Sequence, residues 1–364
     1  MAGPERVHSG FVPPSMGLIA GGVVGAREFS IETQDLTRVF RVKRREARGQ
    51  KREIVALDRA TLAVERGELF GVLGPNGAGK TTLIKILATL LSPTAGTARV
   101  AGADVVANPW EVRRHIGMVS GGESSGYGLL TVEENLWMFS QFYGMQSGEA
   151  KKRIKELLEI VGLADRGKTK IYHLSTGMRQ KMNFARGFLT DPEVLFLDEP
   201  TIGLDVQTAR TLRSYTREWV DEHPDRTLLL TTHYMYEADE LCDRVAIIDQ
   251  GKVLACDTPA ALKRGLRGEA VFRLKVDGDR DLGLLLGSAG GVQRFTHAAR
   301  DGHTELDLIL ADENALVPVL SAIQGAGARL LSLEKREPTL EDVFLRLVGR
   351  GLTEGREGGD EPPR

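Results

Sequence analysis

The stretch Gly74-Pro75-Asn76-Gly77-Ala78-Gly79-Lys80-Thr81 constrains this chain more than any other. It fits G-x-x-x-x-G-K-[ST], and it lies between the apolar run Leu69 to Leu73 and a helical pattern opening near Lys80, the setting that motif needs to cradle phosphate. Its glycines let successive backbone N–H groups converge on phosphate oxygens, and the positive end of the following helix reinforces them. In this arrangement Lys80 clamps the β and γ phosphates, the Thr81 hydroxyl ligates Mg²⁺, and Thr82 supports the α-phosphate side. A bare glycine-rich turn is the alternative, and it leaves the flanking strand and helix patterns unexplained.

From Glu68 onward, short apolar runs alternate with helical patterns. The runs are Leu69 to Leu73, Val194 to Leu197, Leu228 to Leu230 and Val245 to Ile248. Uninterrupted runs of this kind are strands buried on both faces, which predicts an α/β domain with a mainly parallel sheet. Between about residues 150 and 187, Ile154, Leu157, Leu158 and Val161 share one face of a charged segment, predicting a helical insertion that spans about 120–187. Ahead of the cradle, Phe29, Ile31 and Thr33 alternate with polar neighbours, and Leu36 to Val42 leads into the basic run Lys43 to Arg52, read as a solvated hairpin loop.

Past Pro259 to Arg267 the pattern becomes βαββαβ: strands at Ala270 to Val276, Val292 to Phe295, Leu306 to Leu310 and Arg329 to Leu333, with helices at Asp281 to Leu286 and Ala315 to Ile323. A last helix is marked by Thr339 and Asp342 in capping-box spacing, with Leu340, Val343, Phe344 and Leu347 on one face. The expected division is a flexible leader (1–27), an α/β domain (28–265), a small C-terminal α+β domain (266–350) and a tail (351–364).

Composition narrows the setting. The chain has 364 residues, enough for two domains, and a formal charge of −2, which gives no overall field to recruit nucleic acid. Cys242 and Cys256 are too few for a disulfide framework, so a cytoplasmic protein is expected. No window holds the roughly 18 to 20 apolar residues that a membrane span needs. The basic run is read as a solvated face, with RNA or lipid headgroups as the other reading.

The second chemical feature is the end of Val194-Leu195-Phe196-Leu197, which runs into Asp198-Glu199-Pro200. Ligands of open α/β sheets bind at this carboxyl edge. Asp198 is suited to hold Mg²⁺, directly or through water, and Glu199 to act as general base on the water attacking the γ-phosphate. A solvated acidic turn is the bland alternative, weakened by the cradle upstream.

Cradle and acidic strand end occur together in several nucleotide-handling families, and Leu174-Ser175-Thr176-Gly177-Met178-Arg179-Gln180 separates them. It resembles the signature usually written LSGGQ in ABC ATPases and sits between cradle and acidic strand, as it does there. Without that resemblance Ser175 is simply a helix cap. More of the family's pattern follows in order: Thr201 to Asp205 looks like the D-loop, and His233 resembles the switch histidine that contacts the γ-phosphate. Phe40 occupies the place of the aromatic residue that stacks on adenine, with a core aromatic as the alternative. One departure is plain, since no glutamine occurs between Lys80 and Gln141 where the family carries its Q-loop; Glu123 is either a substitute or part of a solvated loop.

The resemblance covers roughly residues 29–262. It implies a P-loop NTPase fold of the ABC ATPase type with a helical insertion, ATP hydrolysis with Mg²⁺, and a second ATPase subunit. In that pair Ser175, Thr176 and Gly177 close on ATP held by the other copy. It also implies a separate membrane permease at the inner face of the cell membrane, and no specific nucleic acid. Pro338 to Phe344 is similar to the ending of drug- and sodium-exporter ATPase subunits, pointing to export. Tyr127, Leu129, Leu130 and Trp137 are either a docking surface for the permease or core. The rival from another class is a soluble ABC ATPase acting on ribosomes or DNA. Such proteins usually carry two cassettes or long coiled coils, and this chain has one cradle and no long heptad run. A P-loop kinase or GTPase is disfavoured by the signature and by the lack of an NKxD sequence.

Overall fold

The computed structural model describes residues 29–43, 51–120, 126–266, 269–278, 282–300 and 302–348. The chain opens with strands β1 (Phe29–Lys43), β2 (Lys51–Glu65) and β3 (Leu69–Leu73), then helix α1 (Lys80–Leu87). Strands β4 (Ala95–Val100) and β5 (Ala103–Asp104), helix α2 (Pro109–His115) and strand β6 (Ile116–Ser120) follow. Helices α3 (Val132–Phe142), α4 (Ser147–Ile160) and α5 (Thr176–Gly187) form the helical insertion. Then come β7 (Val194–Asp198), α6 (Val206–Asp221), β8 (Thr227–Thr232), α7 (Met235–Leu241), β9 (Arg244–Asp249), β10 (Lys252–Asp257) and α8 (Pro259–Arg264).

The main sheet has the order β10-β9-β3-β8-β7-β6, with every pairing parallel except the β10–β9 edge. Strands β3, β7 and β8 are buried at every residue, as their unbroken apolar runs predict. Alternate residues face opposite layers. Leu69, Leu195, Leu228 and Val245 join a core with the insertion helices, whereas Phe70, Phe196, Leu229 and Ala246 pack with α1 and a second sheet. Each fully buried Leu, Val or Phe side chain among them contributes about 1.5–3 kcal/mol. The second sheet is antiparallel, in the order β2-β1-β4-β5. The two expected stretches Phe29 to Thr33 and Leu36 to Val42 are one bulged strand, β1, which pairs with β2 from Phe29 opposite Glu65 to Lys43 opposite Lys51. Of the basic run, Lys43 ends β1 and Lys51 and Arg52 open β2 in pairing with it, and residues 44–50 lie outside the described residues.

The C-terminal part folds as β11 (Ala270–Asp277), α9 (Gly283–Ser288), β12 (Val292–Arg300), β13 (His303–Leu310), α10 (Leu316–Gly325) and β14 (Leu330–Lys335), the expected βαββαβ order. Its antiparallel sheet runs β12-β13-β11-β14, and Phe272, Leu274, Leu306, Leu308, Leu286 and Val319 form a core of their own.

The last helix, α11 (Leu340–Val348), does not join that core. Leu340, Val343 and Phe344 pack instead with Leu266, Met235, Ala238 and Leu241 in the core of the α/β part. Leu347, expected on the same face, is 43% exposed, whereas Leu345 is buried and Val348 packs on the core, so the buried face follows the Leu340, Phe344, Val348 spacing and leaves Leu347 at its margin. Half of the capping box expected from the Thr339/Asp342 spacing forms, the Thr339 backbone N–H donating to Asp342 Oδ2 at 2.8 Å; the Thr339 hydroxyl also donates to that oxygen, at 2.8 Å, in place of accepting from the Asp342 N–H. Arg336 donates to both Asp342 oxygens at 2.7 and 2.8 Å and to Asp307 of β13 at 3.0 Å, fastening the small sheet to α11.

Candidate active site

Parallel register brings the carboxyl ends of four strands into a row. Leu73 lies opposite Thr232, Asp198 opposite Thr231, and Ser120 opposite Asp198. The phosphate loop leaves β3 at one end of this row, so residues far apart in sequence converge where an open α/β sheet binds ligands.

Residues Gly74 to Gly79 form the loop and Lys80 opens α1, with Gly79 at its N-cap. Gly79 has φ +109°, and a Cβ there would collide with the Ala56 carbonyl, so the tight approach of loop to hairpin requires glycine. Pro75 and Ala78 close the loop's own turn, with Ala78 N–H donating to the Pro75 carbonyl at 3.2 Å. Asn76 and Gly77 face solvent, and Thr82 is half-buried behind Thr81. The first turn of α1 presents backbone N–H groups that have no acceptor within the helix.

Lys80 is buried, and its Nζ donates to the Gly74 and Pro75 carbonyls at 2.7 and 3.2 Å. It also lies 3.2 Å from Glu199 Oε1. Burial pulls its pKa below the usual lysine value, with Glu199 opposing that shift. Glu199 Oε2 lies 3.2 Å from His233 Nδ1, though the buried Nδ1 has no aligned hydrogen-bond partner. The Glu199 backbone has φ +49°, a left-handed conformation costing of order 1–3 kcal/mol for a non-glycine residue. Its N–H donates to the Thr231 carbonyl at 3.0 Å, which holds the turn that aims the carboxylate back at Lys80.

Asp198 is buried at the end of β7 and accepts from Thr81 Oγ1 at 3.2 Å and Thr231 Oγ1 at 2.5 Å. Burial raises its pKa, and the two hydroxyl donors work the other way. A hydroxyl and a carboxylate converging on one point is the oxygen donor set that Mg²⁺ takes alongside water and substrate phosphates. The buried cation of Lys80 and the unaligned His233 Nδ1, on either side of Glu199, fit a polyphosphate substrate.

The other expected residues lie on neighbouring elements. Ser175 caps α5, its hydroxyl accepting from Met178 N–H at 3.2 Å, and Thr176 and Gly177 form the first turn. A Cβ at Gly177 would meet the Gly203 carbonyl at 3.4 Å, so the start of α5 lies close to the Thr201 to Asp205 loop of its own chain. Phe40 is half-buried on β1, with the Arg38 guanidinium 4.6 Å over its ring. Tyr127, Leu129 and Trp137 are exposed, at 59%, 83% and 43%, and Leu130 is half-buried, which answers the choice between surface and core for the first three. Glu123 lies outside the described residues.

Two contributors were not singled out from sequence. Thr231 is the closest partner of Asp198, and its only sequence signal is a hydroxyl residue two positions before His233. Gln180 donates to the Pro200 carbonyl at 2.9 Å, tying the signature helix to the acidic strand end, and nothing in the local pattern of α5 announces that.

A protein-family model described as "ABC transporter" matches residues 57–202, and one described as "ATP-binding protein DrrA1-3-like, C-terminal domain" matches residues 258–348. Linearmycin resistance ATP-binding protein LnrL of Bacillus subtilis is 36% identical over 296 residues, covering 80% of this chain and 93% of that protein. Daunorubicin resistance ATP-binding protein DrrA3 of Streptomyces coeruleorubidus is 40% identical over 298 residues, covering 81% of this chain and 91% of that protein. Among solved structures, an ATP-binding subunit of an ABC transporter superposes with a TM-score of 0.57 at 31% identity, covering 65% of this chain and 94% of that one. A dimeric ATP-binding cassette bound to ADP and Pi superposes with a TM-score of 0.56 at 26% identity, covering 63% of this chain and 98% of its own. Fold, site and relatives agree that the chain belongs to the family of ABC transporter ATP-binding proteins, which bind ATP with Mg²⁺ and hydrolyse it to power transport.

Proposed function

We propose that this chain is the ATPase subunit of an exporter whose membrane-spanning part is a separate polypeptide, and that it works as one of a pair of ATPase subunits at the inner face of the cell membrane. The observation that carries the reading is the convergence of Lys80, Asp198, Glu199 and His233 at one sheet edge, within a chain whose C-terminal part matches the DrrA-like domain. Relatives named for resistance to daunorubicin and linearmycin support outward transport of small molecules. Among the described residues no helix is long and apolar enough to cross a membrane, so the reading assigns the translocation path to a partner.

In this reading Lys80 leaves the Gly74 and Pro75 carbonyls for the β and γ phosphates, and the loop's N–H groups take the remaining oxygens. Phe40 stacks on adenine, with Arg38 behind its other face. Thr81 and Asp198 would hold Mg²⁺, which would supply charge neutralisation at the phosphates. Glu199, beside the metal ligands rather than among them, takes the proton of the attacking water, and His233 donates to the γ-phosphate. Ser175, Thr176 and Gly177 face the ATP of the other subunit, where the start of α5 supplies a second set of anion-binding N–H groups. Closure of the pair drives the membrane subunit, and loss of the γ-phosphate contacts releases it. Tyr127, Leu129 and Trp137, exposed on the helical insertion, form the surface that receives the permease. As domains we propose a nucleotide-binding unit of residues 28–265, with its helical part at about 120–187 and α11 packed on it, and an accessory unit built on β11 to β14.

The test is affinity purification of the tagged Glu199→Gln chain with ATP from detergent-solubilised native membranes, followed by mass spectrometry of stoichiometric partners. A polytopic membrane protein is the expected result. Ribosomal or DNA-bound material with no membrane protein would overturn the exporter reading.

A further inference from the structure

Glu237 of α7 is 1% exposed, carries no phosphate-binding role in the reading above, and lies between the loop that follows Glu199 and the turn that presents His233. Its Oε1 accepts from Thr201 Oγ1 of the D-loop at 2.7 Å, and its Oε2 accepts from Thr232 Oγ1 at the end of β8 at 2.9 Å. The Thr232 hydroxyl in turn accepts the N–H of Tyr234 at 2.9 Å, which closes the turn presenting His233. Arg213 of α6 lies 3.5 Å from Oε1 and 3.3 Å from Glu240, supplying positive charge from the helix that follows the D-loop. On the far side of the D-loop, Gln180 of the signature helix holds the Pro200 carbonyl.

A buried carboxylate is retained only when its lone pairs are filled, and this one is filled by one hydroxyl from each of two functional loops. We infer that Glu237 is a positioning residue that locks the D-loop to the switch-histidine turn, so that displacement of one loop is transmitted to the other. The inference rests on the assignment of Glu199 and His233 above and extends it. The D-loop follows Glu199 directly, and the His233 turn ends the neighbouring strand. A single rigid group holding both fixes the His233 ring relative to the Glu199 carboxylate. Because the Thr201 hydroxyl acts through the Glu237 carboxylate, the losses from removing either are interdependent, which is the property the experiment reads.

The test is steady-state ATP hydrolysis by the full-length chain, with kcat and KM determined separately, for Thr201→Val, Glu237→Gln, the double variant and Thr201→Ser. Thr201→Val removes one donor without touching the buried carboxylate, so the inference stays testable if Glu237→Gln folds poorly. Loss of one hydrogen bond to a charged group corresponds to a fall in kcat of about tenfold or more, with KM for ATP unchanged because the phosphate loop is intact. Thr201→Ser, which keeps the donor, restores the rate. The double variant falls little below the worse single variant. A wild-type kcat in Thr201→Val, multiplicative losses in the double variant, or a change in KM alone would each overturn the inference. Glu199→Gln is run in parallel. If Glu199→Gln keeps full activity, the site assignment itself fails; if it is inactive while Thr201→Val is fully active, only the coupling through Glu237 fails.

Discussion

Phe344 puts the packing of the C-terminal helix to a quantitative test. Its ring is 1% exposed and sits in the core shared by Leu266, Met235, Ala238 and Leu241, not in the core of the small C-terminal sheet. Phe344→Ala removes the ring from a site bounded by two helices and is expected to cost about 3–5 kcal/mol, transfer and cavity terms together. At about 2–4 °C per kcal/mol for a cooperative unit of this size, Tm falls by roughly 6–20 °C. The control is Leu347→Ala on the same helix, 43% exposed, where a change within about 0.5 kcal/mol is expected. Thermal unfolding is followed by loss of a bound fluorescent nucleotide, so that the transition reports the nucleotide-binding part. A Phe344→Ala shift no larger than that of Leu347→Ala, or a shift confined to a transition that leaves nucleotide binding intact, would refute the assignment of α11 to this core.

Three further outcomes follow from the same geometry. Glu199→Gln retains ATP binding while hydrolysis falls by about 10²–10⁴, the usual contribution of a general base, as measured by single-turnover phosphate release. Arg336→Ala strips a buried carboxylate, Asp342, of two charged hydrogen bonds and is expected to destabilise by about 3–5 kcal/mol, read from urea unfolding. Glu68 is held above its ordinary pKa chiefly by burial, with the Glu65 N–H and Arg244 opposing that shift. A carboxyl raised in the folded state contributes most favourably below its unfolded value of 4.5, and that contribution is lost as pH rises through the folded value. Glu68→Gln should therefore flatten the fall in Tm above pH 4.5, and an unchanged slope would exclude Glu68 as its source.

The helical insertion and the C-terminal βαββαβ order were legible because apolar spacing at periods of 3.6 and 2 is local information. The cradle, the acidic strand end and the signature were legible for a related reason: each motif is contiguous, and its chemistry is set by neighbours in the chain. Pairings across the sheet were not legible. Nothing local to Thr231 says that β8 lies beside β7 in the register that brings its hydroxyl to Asp198. Nothing local to Glu237 says that the D-loop arrives at its carboxylate from 36 residues upstream.

The amphipathic pattern of α11 shows a buried face and leaves open which core buries it. Leu340, Val343 and Phe344 satisfy either one equally well as a sequence, and only the path of the chain past Arg336 delivers them to α7 and α8. Sequence determined the elements and the phosphate chemistry, since backbone preference and motif spacing act over a few residues. Tertiary structure alone decided which hydroxyls and carboxylates share the site, because those contacts depend on strand order and register, which no short stretch of chain encodes.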